Sequence, residues 1–286
     1  MALTSLPETL LAPDVFLPFQ SELKFFGITW WDSHGQLSKE GLCAFWTLSS
    51  MIFCSLVYKL GPFYSPLLFK TYSNLPKHEQ KEWDVRYASM PFSALCVWYA
   101  YVVLWDSDFF FRDEKHPNIL RTHATTYTQL GMAMGYFIVD FIICIKYNMG
   151  GWPMHLHHMG SLMSVSAAVF TGQGHMHSTW MLFTEATTPF VNMRWWLDKT
   201  DMKNSPLYFY NGVGLFICWV FARIVAFPPF FYVIYKQRDQ IKYLSTYTKF
   251  LLYVFPIILT ILNIWWFTKI LKGVLKMLVK PQTKRE

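Results

Sequence analysis

The sequence predicts an all-α fold, a polytopic membrane bundle of seven, or six, transmembrane helices, and three observations predict it. Hydrophobic residues make up 53% of the 286 and charged residues only 15%, where a soluble domain carries about 25% charged. The apolar residues come in runs of roughly twenty, the length an α-helix needs to cross about 30 Å of hydrocarbon. Those runs fill nearly the whole chain, with polar turns between them, so a single domain is expected.

Taken in order, residues 1–40 read as an N-terminal interfacial segment. It has no basic opening and is broken by Pro7, Pro13 and Pro18, so it does not resemble a cleaved signal. Phe25, Phe26, Trp30 and Trp31 suit the membrane–water boundary. Residues 41–275 form the transmembrane domain, and residues 276–286 a basic C-terminal tail.

The first span is expected over 42–60, stopping at Gly61-Pro62, and a polar loop over 71–86 leads to a second span over 88–105. A charged link precedes the third, 124–147. Asn148-Met149-Gly150-Gly151-Trp152-Pro153 stops that helix and starts the fourth, 154–171. Gly172-Gln173-Gly174 is a tight turn before the fifth, 178–197. The sixth covers 207–235 and the seventh 247–271. Spans four and five are the most polar and must turn their polar faces toward other helices or a cavity.

The formal charge is +7, but Lys and Arg are spread among loops and span ends. A nucleic-acid binder would gather them on one face, so membrane lipids are the expected partners and nucleic acid is not. More basic residues fall on the side that holds the C-terminus, which predicts a cytosolic C-terminus. Cys43, Cys54, Cys96, Cys144 and Cys218 lie in or beside apolar runs, are odd in number and form no CxxC. They read as reduced core residues.

Asp140 and Glu185 are acids deep inside apolar runs, where a charge costs about 2.5–3.5 kcal/mol even on lenient scales. They serve either as orienters of a histidine or as partners of Arg223, a basic residue deep in a span. His155, His157 and His158 open the fourth span. At 100° per residue His155 and His158 share a face while His157 points elsewhere. No HExxH, CxxC or HxxHH pattern accompanies them, so neither a metal nor a di-iron centre is expected. Imidazole chemistry needs a carboxylate to fix the ring and a dry pocket, and the neighbouring spans offer Asp140 and Glu185. Packing at a helix start is the alternative for all three histidines. His175 and His177 are expected to be solvated in their turn.

His157-His158 at the start of a span resembles the paired histidine of the TLC-domain family. Leu182-Phe183-Thr184-Glu185-Ala186-Thr187-Thr188-Pro189-Phe190-Val191-Asn192-Met193-Arg194-Trp195 is similar to its L-x-x-E-x-[ST]-[ST]-P-F-x-N-x-R-W segment. Tyr136 to Asp140 matches its Y-x-x-x-D, and Glu82-Trp83-Asp84-Val85-Arg86 a further signature. The resemblance covers about residues 80 to 275. It implies a multi-pass endoplasmic reticulum membrane protein acting in lipid homeostasis by binding, sensing or handling lipid, with Asn192, Arg194 and Arg223 in lipid contact.

The ceramide synthases of the same family imply an alternative. There His157 and His158 would be the acyl-accepting and proton-shuttling positions, Asp140 and Glu185 the orienting acids, and acyl-CoA the co-substrate, with no other cofactor. The chain departs from that pattern around Thr184 to Pro189 and lacks the acidic run after the last span. Likeness to the ceroid-lipofuscinosis cargo receptor implies a third reading, a receptor in protein trafficking. A homo-oligomer is compatible with each.

Overall fold

The computed structural model describes residues 24–25, 28–29, 31, 36–107, 109–110 and 117–279. Most of the expected interfacial segment, with Phe26 and Trp30, and residues 280–286 of the tail lie outside the described residues. Lys24–Phe25 (β1) and Ile28–Thr29 (β2) pair antiparallel. After an isolated bridge between Trp31 and Leu37, every further element among the described residues is helical.

Helix α1 spans Lys39–Leu68, and Ser38 caps it by accepting from the Gly41 N–H at 2.9 Å. It runs on past Gly61-Pro62, where its end was expected, and through Pro66. Proline is tolerated inside spans because neighbouring groups satisfy the backbone it frees. Helix α2 spans Lys77–Tyr101 and continues as a π-helical turn over Val102–Asp106. The expected loop over 71–86 is therefore a 3₁₀ turn, Lys70–Asn74, and the opening of α2.

The reason lies in the charges, which read as loop but each find a partner. Glu79 meets Lys199 at 2.5 Å, Arg86 bonds Glu82, and Asp84 accepts from Tyr72 at 3.0 Å and Ser65 at 3.3 Å.

Helix α3 covers Ala124–Tyr147 and α4 Gly151–Thr171. Between them Asn148 (φ 49°) and Gly150 (φ 68°) take left-handed backbone, a conformation Gly and Asn adopt at least cost. The fifth expected span is α5, His175–Leu182, then a 3₁₀ turn over Phe183–Thr187, then α6, Thr188–Lys199. The sixth is α7, Pro206–Trp219, a π-helical turn over Val220–Val225, and α8, Phe227–Lys236. Helix α9 is Thr246–Val279.

Helical segments thus stand at all seven expected positions. Among the described residues five helices are long and apolar enough to cross a membrane: Lys39–Leu68, Lys77–Asp106, Ala124–Tyr147, Pro206–Lys236 and Thr246–Lys276. The fourth and fifth segments fall outside that set because their polar residues, and in the fifth the 3₁₀ break, interrupt the apolar run.

The core forms around α3. Phe92 stacks on Tyr136 with ring centroids 3.8 Å apart, and Phe137, Leu130, Val165 and Leu182 complete the cluster. Helix α1 lies on α3 at small residues: Thr47 Oγ1 donates to the Gly131 carbonyl at 3.1 Å, and Ser50 Oγ to that of Met132 at 2.9 Å. Its other side presents Phe45, Leu48, Ile52 and Leu56 outward, as a lipid-facing surface must. The five cysteines are free, and all but Cys218 are buried.

Candidate functional site

Asp140 and Cys144 lie one turn apart on α3, so both side chains meet the same neighbour. That neighbour is α4, brought back along α3 by the left-handed turn. His155 Nε2 lies 3.2 Å from the Cys144 carbonyl, and His158 Nδ1 lies 2.8 Å from Asp140 Oδ2. The His158 ring is turned off the line of an aligned hydrogen bond, so the contact is a close pair that a small ring rotation would align. His157 points the other way, as the helical periodicity predicts. Its ring stands edge-on to Trp266 of α9, centroids 5.7 Å apart, and its Nδ1 has no partner among the described residues.

Asp140, Cys144 and His158 offer ligand atoms within 4.8 Å of one another, and all three are buried. Zinc held by bonds of about 2.0–2.3 Å spreads tetrahedral ligands to well over 3 Å apart. The 2.8 Å separation of His158 and Asp140 suits a direct pair better than a bridged ion.

His157 and Glu185 line one end of a cavity of about 70 Å³ between α4, α5 and its 3₁₀ turn, α8 and α9. Its middle is apolar, with Val165, Met181, Leu182, Leu252, Phe255 and Leu259. Glu185 accepts from Thr188 Oγ1 at 2.6 Å. The structure thus brings Glu185 and His157 to one cavity, with His158 and Asp140 directly behind them.

Arg223 sits in the π-helical turn, a local widening often found at functional sites. Its Nε donates to the Thr184 carbonyl at 3.2 Å and to Thr187 Oγ1 at 2.8 Å, and Nη1 donates to Asn263 Oδ1 at 3.1 Å. The guanidinium lies over Trp219, 4.7 Å from the ring centroid. Among the described residues no carboxylate lies within ion-pair distance of it, so the expected lock with Asp140 or Glu185 does not form. Arg223 instead ties the turn that carries Glu185 to α9.

Arg223→Met should destabilise the protein by about 1–3 kcal/mol, the cost of stranding buried acceptors, in thermal unfolding in detergent. Neither Asp140→Asn nor Glu185→Gln should restore that loss. Rescue by either amide would reinstate the lock.

Asn192 and Arg194 lie apart from the cavity, on α6. Asn192 Nδ2 donates to Ser89 Oγ at 2.6 Å, and Asn192 Oδ1 accepts from Arg86 Nη1 at 2.8 Å. Arg86 also stacks on Trp195, 4.6 Å from the ring centroid. The two sequence signatures, Glu82 to Arg86 and Asn192 to Trp195, therefore meet in space and tie α2 to α6. Arg194 lies over Tyr208, 4.1 Å from its ring centroid, and ties α6 to α7.

His175 and His177 are not solvated, contrary to expectation. His175 is fully buried, with Nδ1 2.8 Å from Thr126 Oγ1 and Nε2 3.0 Å from the Ala168 carbonyl. The Gly172 and Gly174 turn folds under residue 119, whose carbonyl accepts from the Gly174 N–H at 2.8 Å. Tyr127, 4.6 Å from the His175 ring centroid, and Phe230, 5.8 Å from that of His177, cover the two rings. Asp84, read as a loop residue, is fully buried against Gly61, where a Cβ would come 2.5 Å from its carboxylate. His177 also lines the cavity, and the only sequence signal for it was its distance of three residues from a glycine turn.

The family model described as the TLC domain matches residues 82–272. The chain is 24% identical over 238 residues to TLC domain-containing protein 4 of Homo sapiens, covering 81% of this chain and 88% of that one. It is 31% identical over 152 residues to TLC domain-containing protein 4 A of Dictyostelium discoideum, 52% of this chain and 58% of that protein. It is 30% identical over 183 residues to Topoisomerase I damage affected protein 4 of Saccharomyces cerevisiae, 58% of this chain and 62% of that one. The matches span under two thirds of the Dictyostelium and yeast relatives.

Proposed function

This chain belongs to the TLC-domain family, and from that premise we propose that it holds a membrane lipid in the cavity between α4, α5, α8 and α9 and acts in lipid homeostasis. The proposal places it in an endomembrane, the endoplasmic reticulum first. The observation that supports it most is the cavity itself, lined chiefly by apolar side chains and also by His157 and Glu185. An alkyl chain fits such walls, because burying each methylene there contributes about 0.8 kcal/mol. The polar end supplies a place for a carbonyl or headgroup atom, which gives the ligand a direction.

The test is mass spectrometry of lipid that co-purifies with the protein. Ser164 lines the cavity, and Ser164→Trp should fill it. Wild type should carry acyl lipid, and the variant should lose it while keeping its helical circular dichroism. Equal lipid in both proteins would sink the proposal.

A second reading, acyl transfer, is favoured by one specific observation, the 2.8 Å contact of His158 with Asp140. In that reading His157, facing the cavity, attacks the thioester carbonyl of acyl-CoA, and the CoA thiolate leaves. An acceptor amine or hydroxyl then takes the acyl group and yields its proton to His158, which Asp140 steadies.

A further inference from the structure

The far end of the cavity is built differently from its middle. His177 is 4% exposed, lines the cavity, and makes no aligned hydrogen bond at either ring nitrogen among the described residues. Gln237 lies behind it, 5% exposed and outside the cavity lining, near enough for the two side chains to pair. Buried polar groups are nearly always satisfied, and each that is not calls for a ligand or a water. With its N–H turned to Gln237 Oε1, a neutral imidazole keeps its other nitrogen as an unmet acceptor at the cavity wall. A hydroxyl, which donates, complements that acceptor.

The span between the two polar ends follows from the helix. His157 stands at one end, and the His175 ring fixes the start of α5 to the Ala168 carbonyl. Eleven residues of α4 at 1.5 Å each put the ends about 16 Å apart. The stretch between them is lined chiefly by apolar side chains, Val165, Leu182, Leu252 and Phe255 among them.

We propose that the ligand is a lipid chain carrying a second hydrogen-bonding group, a hydroxyl, about 16 Å from its head, and that His177 with Gln237 recognises that hydroxyl. The proposal rests on the cavity being a lipid site. It specifies which lipid chains the site prefers.

The test uses the full chain in detergent micelles, with tetradecanoic acid and its ω-hydroxy counterpart as probes and affinity read by native mass spectrometry. The ω-hydroxy acid should bind about tenfold tighter, the yield of one well-made buried hydrogen bond. His177→Phe should erase the preference, so that the two acids bind alike. Gln237→Leu, which keeps the imidazole, should reduce the preference in part. Equal binding of the two acids by wild type would overturn the hydroxyl pocket and leave the cavity as a plain lipid site. A preference that survives both substitutions would overturn the assignment to His177 and Gln237. Binding of neither acid would overturn this proposal and the lipid-site reading together.

Discussion

On the acyl-transfer reading, Asp140→Asn is expected to cut turnover by about 10²–10⁴, the usual contribution of a positioned acid–base group, while lipid still occupies the cavity. The amide keeps the shape of Asp140 but cannot stabilise a protonated His158 ring 2.8 Å away. Cys144 Sγ, 3.7 Å from Asp140 Oδ2, can still donate to the amide oxygen, so that bond within α3 survives. His158→Ala should abolish activity too, but at a structural cost of about 3–5 kcal/mol, because it strands a buried carboxylate. His157→Ala removes a ring with an unpartnered nitrogen, so its effect on melting should be smaller than that of His158→Ala. The assay is acyl-CoA turnover by purified protein, with co-purified lipid measured on the same samples. Full turnover in Asp140→Asn would end the acyl-transfer reading and leave lipid binding in place.

The periodicity of the fourth helix carried real information about the site. It placed His155 and His158 on one face and His157 on another, and the structure sets the first two against α3 and the third in the cavity. Apolar runs located the helices for the same reason, since hydrocarbon leaves the backbone little choice. What failed were inferences drawn from polarity alone. The opening of α2 reads as a loop because nothing local shows that Lys199, Asn192, Ser65 and Tyr72 will come to meet its charges. Arg223 reads as the partner of an acid because charge suggests charge. Three neutral oxygens and the face of Trp219 satisfy it instead. His175 and His177 follow glycines in a polar turn, and only long-range packing against Tyr127 and Phe230 buries them.

Gly135→Ala should be among the most damaging single-methyl changes in the protein. A Cβ at Gly135 would stand 2.3 Å from the Thr47 carbonyl oxygen and 2.9 Å from Ser50 Cβ. The closest of these atoms is backbone, so no side chain can swing away, and α1 must lift off α3. The lift stretches the Thr47 bond to Gly131 and the Ser50 bond to Met132. Overpacking of a rigid core costs about 1–3 kcal/mol, and with two interhelical bonds strained the loss should fall at the top of that range. Gly131→Ala, with a Cβ 2.7 Å from the Cys43 carbonyl, should behave alike but more mildly. Gly160→Ala is the informative contrast. Its Cβ would come 1.8 Å from the Phe255 ring, a closer approach, but that ring borders the cavity and can turn into it. It should therefore melt nearer to wild type than Gly135→Ala does, while losing co-purified lipid. Gly273→Ala, with nothing within 4 Å, should stabilise α9 by about 0.5–1 kcal/mol. Melting temperatures of the four variants in one detergent decide the matter. If Gly135→Ala melts with wild type, α1 does not seat on α3 through these glycines.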